Sequence, residues 1–297
     1  MKYKLILLLT VIILLVIIHY IQKHNSIPKQ IWTYWGQDTP PIIISFIDKW
    51  KRLNPSWRLT LVTQSTLQKY IKNEQVVEML TSNRETPQFS SDLIRCLLLY
   101  EYGGVWLDAN ILLLKPLDWV LKLQRVNRNI EYVGYYIPNF TNNLKFPIVE
   151  SWFMSCVPKS PFMFLLKEEL IKAFGEREEY VKNMKRIGVD LQNIPHTLQS
   201  YLCIHVAMQY ILQILKYDRK HLELVKSTDD AFKFHGMVNW KSKQLIQDLT
   251  SNDKHVINKY QRHLKGMNLI KLRGEERNQL RKVSNIPENS IMGQLLS

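Results

Sequence analysis

The sequence predicts an α/β domain, with a mostly parallel sheet flanked by helices, preceded by an N-terminal transmembrane helix. Three observations carry this expectation. The first residues are almost entirely leucine, isoleucine and valine, helical and strand-like periodicities alternate through the rest of the chain, and residues 89–116 pass from an apolar helical pattern through a glycine pair into short apolar strands.

At the N-terminus, Leu5 to Ile21 is broken only by Thr10, His19 and Tyr20, and Lys2 and Lys4 precede it. As a helix it would be about 25 Å long, at the short end of what crosses a bilayer. No small-x-small cleavage site follows. An uncleaved signal anchor is therefore expected over residues 1–23, giving a single-pass membrane protein held through residues 5–21. Lys23, His24 and Lys29 nearly balance the lysines before the segment, so the side of the membrane stays open: the Golgi or ER lumen in a eukaryote, the cytoplasmic membrane in a bacterium.

Residues 24–297 read as one domain, with no internal repeat, low-complexity linker or Pro/Gly cluster to divide them. Helices are expected at about 43–53, 64–81, 161–174 and 198–216, and strands at 58–63, 131–136 and 221–225.

Chemistry concentrates in F-S-S-D-L-I-R-C-L-L-L-Y-E-Y-G-G-V-W-L-D-A-N-I-L-L-L-K-P, from Phe89 to Pro116. Ser90 and Ser91 suit a helix N-cap, which would put Asp92 in the first turn and Leu93 to Tyr102 in the helix. Asp92 and Arg95 then share one face. Gly103 can end the helix in the left-handed conformation, and Gly104 lets the chain turn into the buried strand Val105, Trp106, Leu107. Asp108 is the first charge after that strand, and Ile111 to Leu114 resumes the apolar pattern until Lys115 and Pro116 stop it. Helix, glycine pair, strand, acid and strand again is the layout of an α/β domain whose ligands sit at the carboxyl ends of strands. Singly, Asp92 could cap a helix, Arg95 pair with it and Asp108 begin a turn; their concentration in so apolar a span points to a site.

This run resembles the core of the glycosyltransferases with a DXD sugar-binding motif, most closely the capsular polysaccharide synthesis proteins. Ser91, Asp92, Arg95, Tyr102, Gly103, Gly104, Val105, Trp106, Asp108, Ala109, Asn110, Lys115 and Pro116 stand at the positions of that pattern. The resemblance continues in Ile27-Pro28-Lys29-Gln30-Ile31-Trp32-Thr33-Tyr34-Trp35-Gly36, in Trp50 with Asn54-Pro55, in Ser151-Trp152-Phe153 with Pro158, in Tyr201 to His205, and more faintly in Lys271-Leu272. It spans about residues 27–273.

The resemblance implies a nucleotide-sugar-binding, GT-A-like and Rossmann-like catalytic domain at residues 24–297. It also implies hexosyl transfer from a nucleotide-diphosphate sugar to a glycan or polysaccharide acceptor, with retention of configuration. Asp92, Arg95 and Asp108 would be catalytic, and Trp35, Asp92, Arg95, Asp108, Asn110 and Lys271 would bind the donor. Asp108 and Asn110 would hold a divalent cation, manganese or magnesium. Asn110 stands where many relatives carry a second aspartate, and an amide oxygen ligates without adding charge, so metal dependence is open. Lys271 could neutralise the diphosphate. Trp35 either stacks on the base or packs, and Trp32 beside it reads as core. His205 in an apolar helix reads as a core histidine, and Glu150 as an acceptor-side acid or a solvated glutamate; His235 and Trp240 carry weaker signals.

The net charge of +14 raises nucleic acid as a rival partner. None is expected, because the lysines are spread along the chain and no zinc-finger, RNA-binding or cold-shock pattern is present. A basic surface equally suits a nucleotide-diphosphate donor, an anionic polysaccharide or acidic lipid. The densest stretch, Lys254 to Lys282, reads mostly as a solvated helix face. Cys96, Cys156 and Cys203 read as buried free thiols, since they are odd in number and lack metal-site spacing. Two other classes fit the residues: a nucleotide-sugar-binding protein of the same fold without turnover, which Asn110 allows, and a basic membrane-associated binding protein.

Overall fold

The computed structural model describes residues 26–297 apart from 37, 83 and 128. Strand β1 (Gln30–Tyr34) buries its three middle residues, as a strand covered on both faces must. Helix α1 (Pro41–Leu53) carries Ile43, Phe46, Ile47 and Trp50 on its buried face and returns the chain to β2 (Arg58–Val62). Helices α2 (Leu67–Tyr70) and α3 (Glu74–Thr81) replace the single helix expected at 64–81. The break comes at Ile71, which is extended, and at Asn73, whose side chain accepts from the Val76 amide and starts a new helix.

Helix α4 (Pro87–Tyr102) begins earlier than Ser90, because Pro87 suits the first helical turn and the Thr86 hydroxyl accepts from the Phe89 amide at 3.3 Å. Asp92 is therefore in the second turn and buried. Gly103 closes the helix at φ 63° and Gly104 follows at φ 99°, where a Cβ would lie 2.5 Å from the Gln30 carbonyl oxygen. Strands β3 (Gly104–Leu107) and β4 (Ile111–Leu113) enclose the turn 108–110.

The chain continues through α5 (Asp118–Val126), β5 (Tyr132–Tyr136), β6 (Val149–Cys156), α6 (Pro161–Ala173), α7 (Arg177–Arg186), α8 (Cys203–Gln213) and β7 (Leu222–Lys226). It closes with α9 (Lys233–Met237), α10 (Ser242–Leu249), α11 (Lys254–Leu264), β8 (Leu269–Lys271), α12 (Gly274–Leu280) and α13 (Ile291–Leu296). The central sheet has the order β2-β1-β3-β6-β5-β7, with β6 antiparallel to both neighbours and the remaining pairs parallel. A separate antiparallel pair, β4 and β8, sets Ile111 opposite Lys271.

The alternation of side chains along the strands divides the core in two. Ile31, Val105, Leu107 and Phe153 pack with α1, α5, α10 and α11, whereas Trp32, Trp106 and Met154 pack with α4, α6, α7 and α8. Trp32 is core, its indole N–H donating to the Gly103 carbonyl at 2.9 Å. The three cysteines are buried free thiols.

Two further expectations are corrected. Among the described residues no helix is long and apolar enough to cross a membrane. The longest, α4, has 16 residues, about 24 Å of helix, and contains Asp92, Arg95 and Glu101. The transmembrane helix included in the expected fold class, and the single-pass membrane localisation resting on it, are withdrawn on that finding; residues 5–21 lie outside the described residues. The stretch Lys254 to Lys282 is more than a solvated helix face, since it contains β8, whose Lys271 is only 6% exposed.

Candidate active site

The site forms where β3 ends. Strand β6 runs against β3, so its first residues lie beside Asp108, whose backbone N–H donates to the Trp152 carbonyl at 2.9 Å. Helix α4 supplies Asp92 and Arg95, and β8 brings Lys271 alongside β4.

These groups form a chain of alternating charge. Arg95 contacts Asp92 at 3.0 Å through Nη1 and Asp108 Oδ1 at 3.2 Å through Nη2, while the Lys271 ammonium donates to Asp108 Oδ2 at 2.7 Å and to Asn110 Oδ1 at 2.5 Å. Arg95 also donates to the Ser151 carbonyl at 2.5 Å and lies 5.1 Å from the Trp106 ring centre. The Trp106 indole donates to Asp108 Oδ1 at 3.0 Å. Asn110 is oriented by its own amide group, which donates to the Leu272 carbonyl, while the Leu272 amide returns a bond to the Asn110 carbonyl at 3.0 Å. Five residues singled out from sequence, Asp92, Arg95, Asp108, Asn110 and Lys271, are thus in one network.

Burial sets their protonation. Asp92 is pushed up to about 6 by burial, against the pull of Arg95. Asp108 is partly buried, its side chain 25% exposed; desolvation raises its carboxyl, but the ammonium of Lys271 and the guanidinium of Arg95 outweigh this and hold it below the usual range. Burial lowers Lys271, although Asp108 opposes this; for Arg95 the two carboxylates outweigh burial and raise it. The result is a desolvated cluster whose positive and negative groups balance, where a ligand's charge is felt strongly.

Beside it stands a second buried acid. Glu150 is 7% exposed and pushed up to about 7 by burial, with Trp152 and Lys271 opposing and Asp108 adding to the rise. His205, in the first turn of α8, lies 4.0 Å from it and is lowered to about 4 by burial and by Arg95. His205 is therefore neutral near pH 7, and Glu150 is poised between its two forms.

Trp35 lies apart from this network. Its indole donates to the Asp38 carbonyl at 3.1 Å, and its ring is 5.8 Å from the guanidinium of Arg277 on α12. Trp35 borders a cavity of about 520 Å³ lined also by Asp38, Pro40, Leu280, Arg281 and Ile286, and Arg277 reaches Trp35 without lining the cavity itself. Sequence reasoning missed Arg277, which is embedded in a run of basic residues with no motif around it. Trp240 and His235 belong to the framework behind it. Arg273 bridges the Trp240 carbonyl at 3.0 Å, the Ser242 hydroxyl at 2.8 Å and Glu276, and the fully buried His235 lies 3.7 Å from Glu276.

A divalent ion held by Asp108 and Asn110 would use Asp108 Oδ2 and Asn110 Oδ1. Both oxygens instead accept from the Lys271 ammonium, and Asp108 Oδ1 accepts from Arg95 and Trp106. Among the described residues no group of three or more His, Cys, Asp or Glu could hold a metal ion. One carboxylate and one amide already converging on an ammonium are a poor donor set for a hard divalent cation, which seeks several oxygen ligands.

Among known proteins, the glycosyltransferase afumC of Aspergillus fumigatus is 32% identical over 110 residues, covering 32% of this chain and 27% of that protein. The O-glycosyltransferase braB of Annulohypoxylon truncatum is 27% identical over 124 residues, covering 37% of this chain and 30% of that one. The chain thus spans less than a third of the length of either relative. The solved structure of the PaToxG glycosyltransferase aligns over 94% of each chain at 11% identity, with a TM-score of 0.40. The description capsular polysaccharide synthesis protein matches residues 13–265, leaving Lys271 and Arg277 beyond the matched segment. Because that match covers most of the chain, including the elements that carry Asp92, Arg95, Asp108, Glu150 and His205, the chain belongs to the capsular polysaccharide synthesis protein family.

Proposed function

We propose that this chain is a glycosyltransferase, with residues 24–297 as its catalytic domain, moving a sugar from a nucleotide-diphosphate donor to a glycan or polysaccharide acceptor with retention of configuration. The observation that carries the proposal is the largely buried Asp92–Arg95–Asp108–Lys271 chain of alternating charge at the carboxyl end of β3, with Asp108 its most exposed member. Family membership and the glycosyltransferase relatives support it.

Sugar transfer needs the donor's hydroxyls held and the charge of the departing phosphate met. Asp92 accepts hydroxyl hydrogen bonds and Arg95 donates them, each fixed by the other. Asp108 orients Arg95 and Lys271 from one carboxylate and meets the donor's ribose and sugar. Asn110 holds Lys271 toward the phosphates. Glu150 faces the acceptor side, where its carboxyl, pushed up to about 7 by burial, can hydrogen-bond and orient an acceptor hydroxyl.

A screen of common nucleotide sugars for hydrolysis and transfer tests this. Turnover of at least one donor is expected, with Asp108→Ala lowering it by about a hundredfold or more, the scale seen when one preorganised electrostatic group is lost. Donor binding without any product would instead favour a binding protein of the same fold, a reading that the uncharged Asn110 keeps in view. Absence of both binding and turnover for every donor would overturn the proposal.

A further inference from the structure

We infer that two fixed cations of the closing segment, Lys271 and Arg277, meet the charge of the departing nucleoside diphosphate, in place of a divalent metal ion. The inference rests on the sugar-transfer reading above. Its first support is positional: the Lys271 ammonium lies between Asp108 Oδ2 and Asn110 Oδ1, the two oxygens a metal would need.

Its second support is Arg277. Among the described residues the Arg277 guanidinium has neither a hydrogen-bond acceptor nor an ion-pair partner, and its Nε is buried and unpartnered. It is stacked 5.8 Å from Trp35. A half-buried guanidinium without acceptors is unfavourable, and phosphate oxygens match its planar fork. Burial and neighbouring Arg281 lower it, while Asp108 opposes them, so Arg277 lies within electrostatic reach of the Asp108 cluster. Helix α12 cannot easily swing away, since Arg273, Ser242 and Glu276 tie its first turn to Trp240. The adjoining cavity of about 520 Å³, with Trp35 and Arg281 in its wall, has room for a nucleoside.

In the transfer itself, the bond from the anomeric carbon to the β-phosphate oxygen breaks and its electron pair stays on the phosphate. The acceptor oxygen bonds to that carbon, and its proton passes to the departing diphosphate. The negative charge thus gathered on the β-phosphate faces Lys271 on one side and Arg277 on the other.

The test uses the whole chain with UDP and GDP as probes, titrated calorimetrically in excess EDTA and again in excess manganese. At least one probe should bind with affinities within about twofold in the two conditions, and Lys271→Ala and Arg277→Ala should each weaken it by about tenfold or more, the equivalent of one charge-assisted contact. Among the described residues the Arg277 guanidinium makes no hydrogen bond or ion pair that its removal would break, only the contact with the Trp35 ring, so Arg277→Ala should keep the wild-type circular dichroism and a melting temperature close to wild type even if Lys271→Ala unfolds. Binding that disappears in EDTA, or an Arg277→Ala protein that binds like wild type, overturns the inference. Turnover that requires manganese leaves sugar transfer standing and removes only the metal-free reading; a protein that neither binds nor turns over any donor removes both.

Discussion

Asp108 is shared by two cations, and the surrounding groups show how narrowly that sharing is specified. Asn110 both accepts from Lys271 and donates to the Leu272 carbonyl, a pair of tasks that a carboxylate cannot perform. Asn110→Asp should therefore leave the Leu272 carbonyl without its donor and lower stability by about 1–3 kcal/mol, read as a shift in the urea midpoint. Glu150 and His205 make opposite contributions with pH. The folded chain keeps a proton on Glu150 up to about 7, whereas an ordinary glutamate releases it at 4.5, so this group costs stability as pH rises through that window. Asp92, raised from 3.8 to about 6, acts in the same direction at lower pH. His205, lowered from 6.5 to about 4, does the reverse and costs stability as pH falls through its window. With Trp152, Lys271, Asp108 and His205 around it, Glu150→Gln removes the first contribution alone. The change in melting temperature from pH 5 to pH 8 should be more favourable in the variant than in wild type, and identical profiles would refute the assignment. The cluster of Asp92, Arg95 and Asp108 was legible in sequence because all three sit in one short apolar run; the states of Glu150 and His205 were not, because desolvation depends on what covers them.

Elements show where local signals suffice and where they compete. Gly103 and Gly104 mark the helix end and strand start in sequence, and the structure adds that Gly104 passes against the Gln30 carbonyl of β1. Gly104→Ala should cost roughly 2–4 kcal/mol, from a positive φ and a steric clash together, and is measured as reduced soluble yield and an earlier urea transition. The start of α4 was misread because Ser90 and Ser91 are good caps by type, while Thr86 with Pro87 is better placed. The break between α2 and α3 was missed for a similar reason, since an apolar period can persist across an interrupted helix. The pairing of β4 with β8 had no local signature at all, yet it is what sets Lys271 beside Asn110.

At the scale of the whole molecule, the closing segment is both structural and part of the proposed site. Ile291 and Met292 of α13 are fully buried, and the Arg52 side chain of α1 donates to the carbonyls of Leu296 and Ser297 at 2.9 and 3.0 Å. Removing residues 282–297 should expose the core beneath α13 and lower unfolding free energy by roughly 3–5 kcal/mol, measured by urea denaturation. The basic residues behind the net charge of +14 are spread along the chain, and composition alone left their partner undecided. By itself the sequence determined the α/β class, the turn at Gly103–Gly104 and the group of acids and arginine around it, because backbone propensity and apolar periodicity act over a few residues. Only tertiary structure decided that Lys271 lies between Asp108 and Asn110 and that Arg277 meets Trp35, because those meetings join segments far apart in sequence, and burial and charge proximity exist only once the chain has folded.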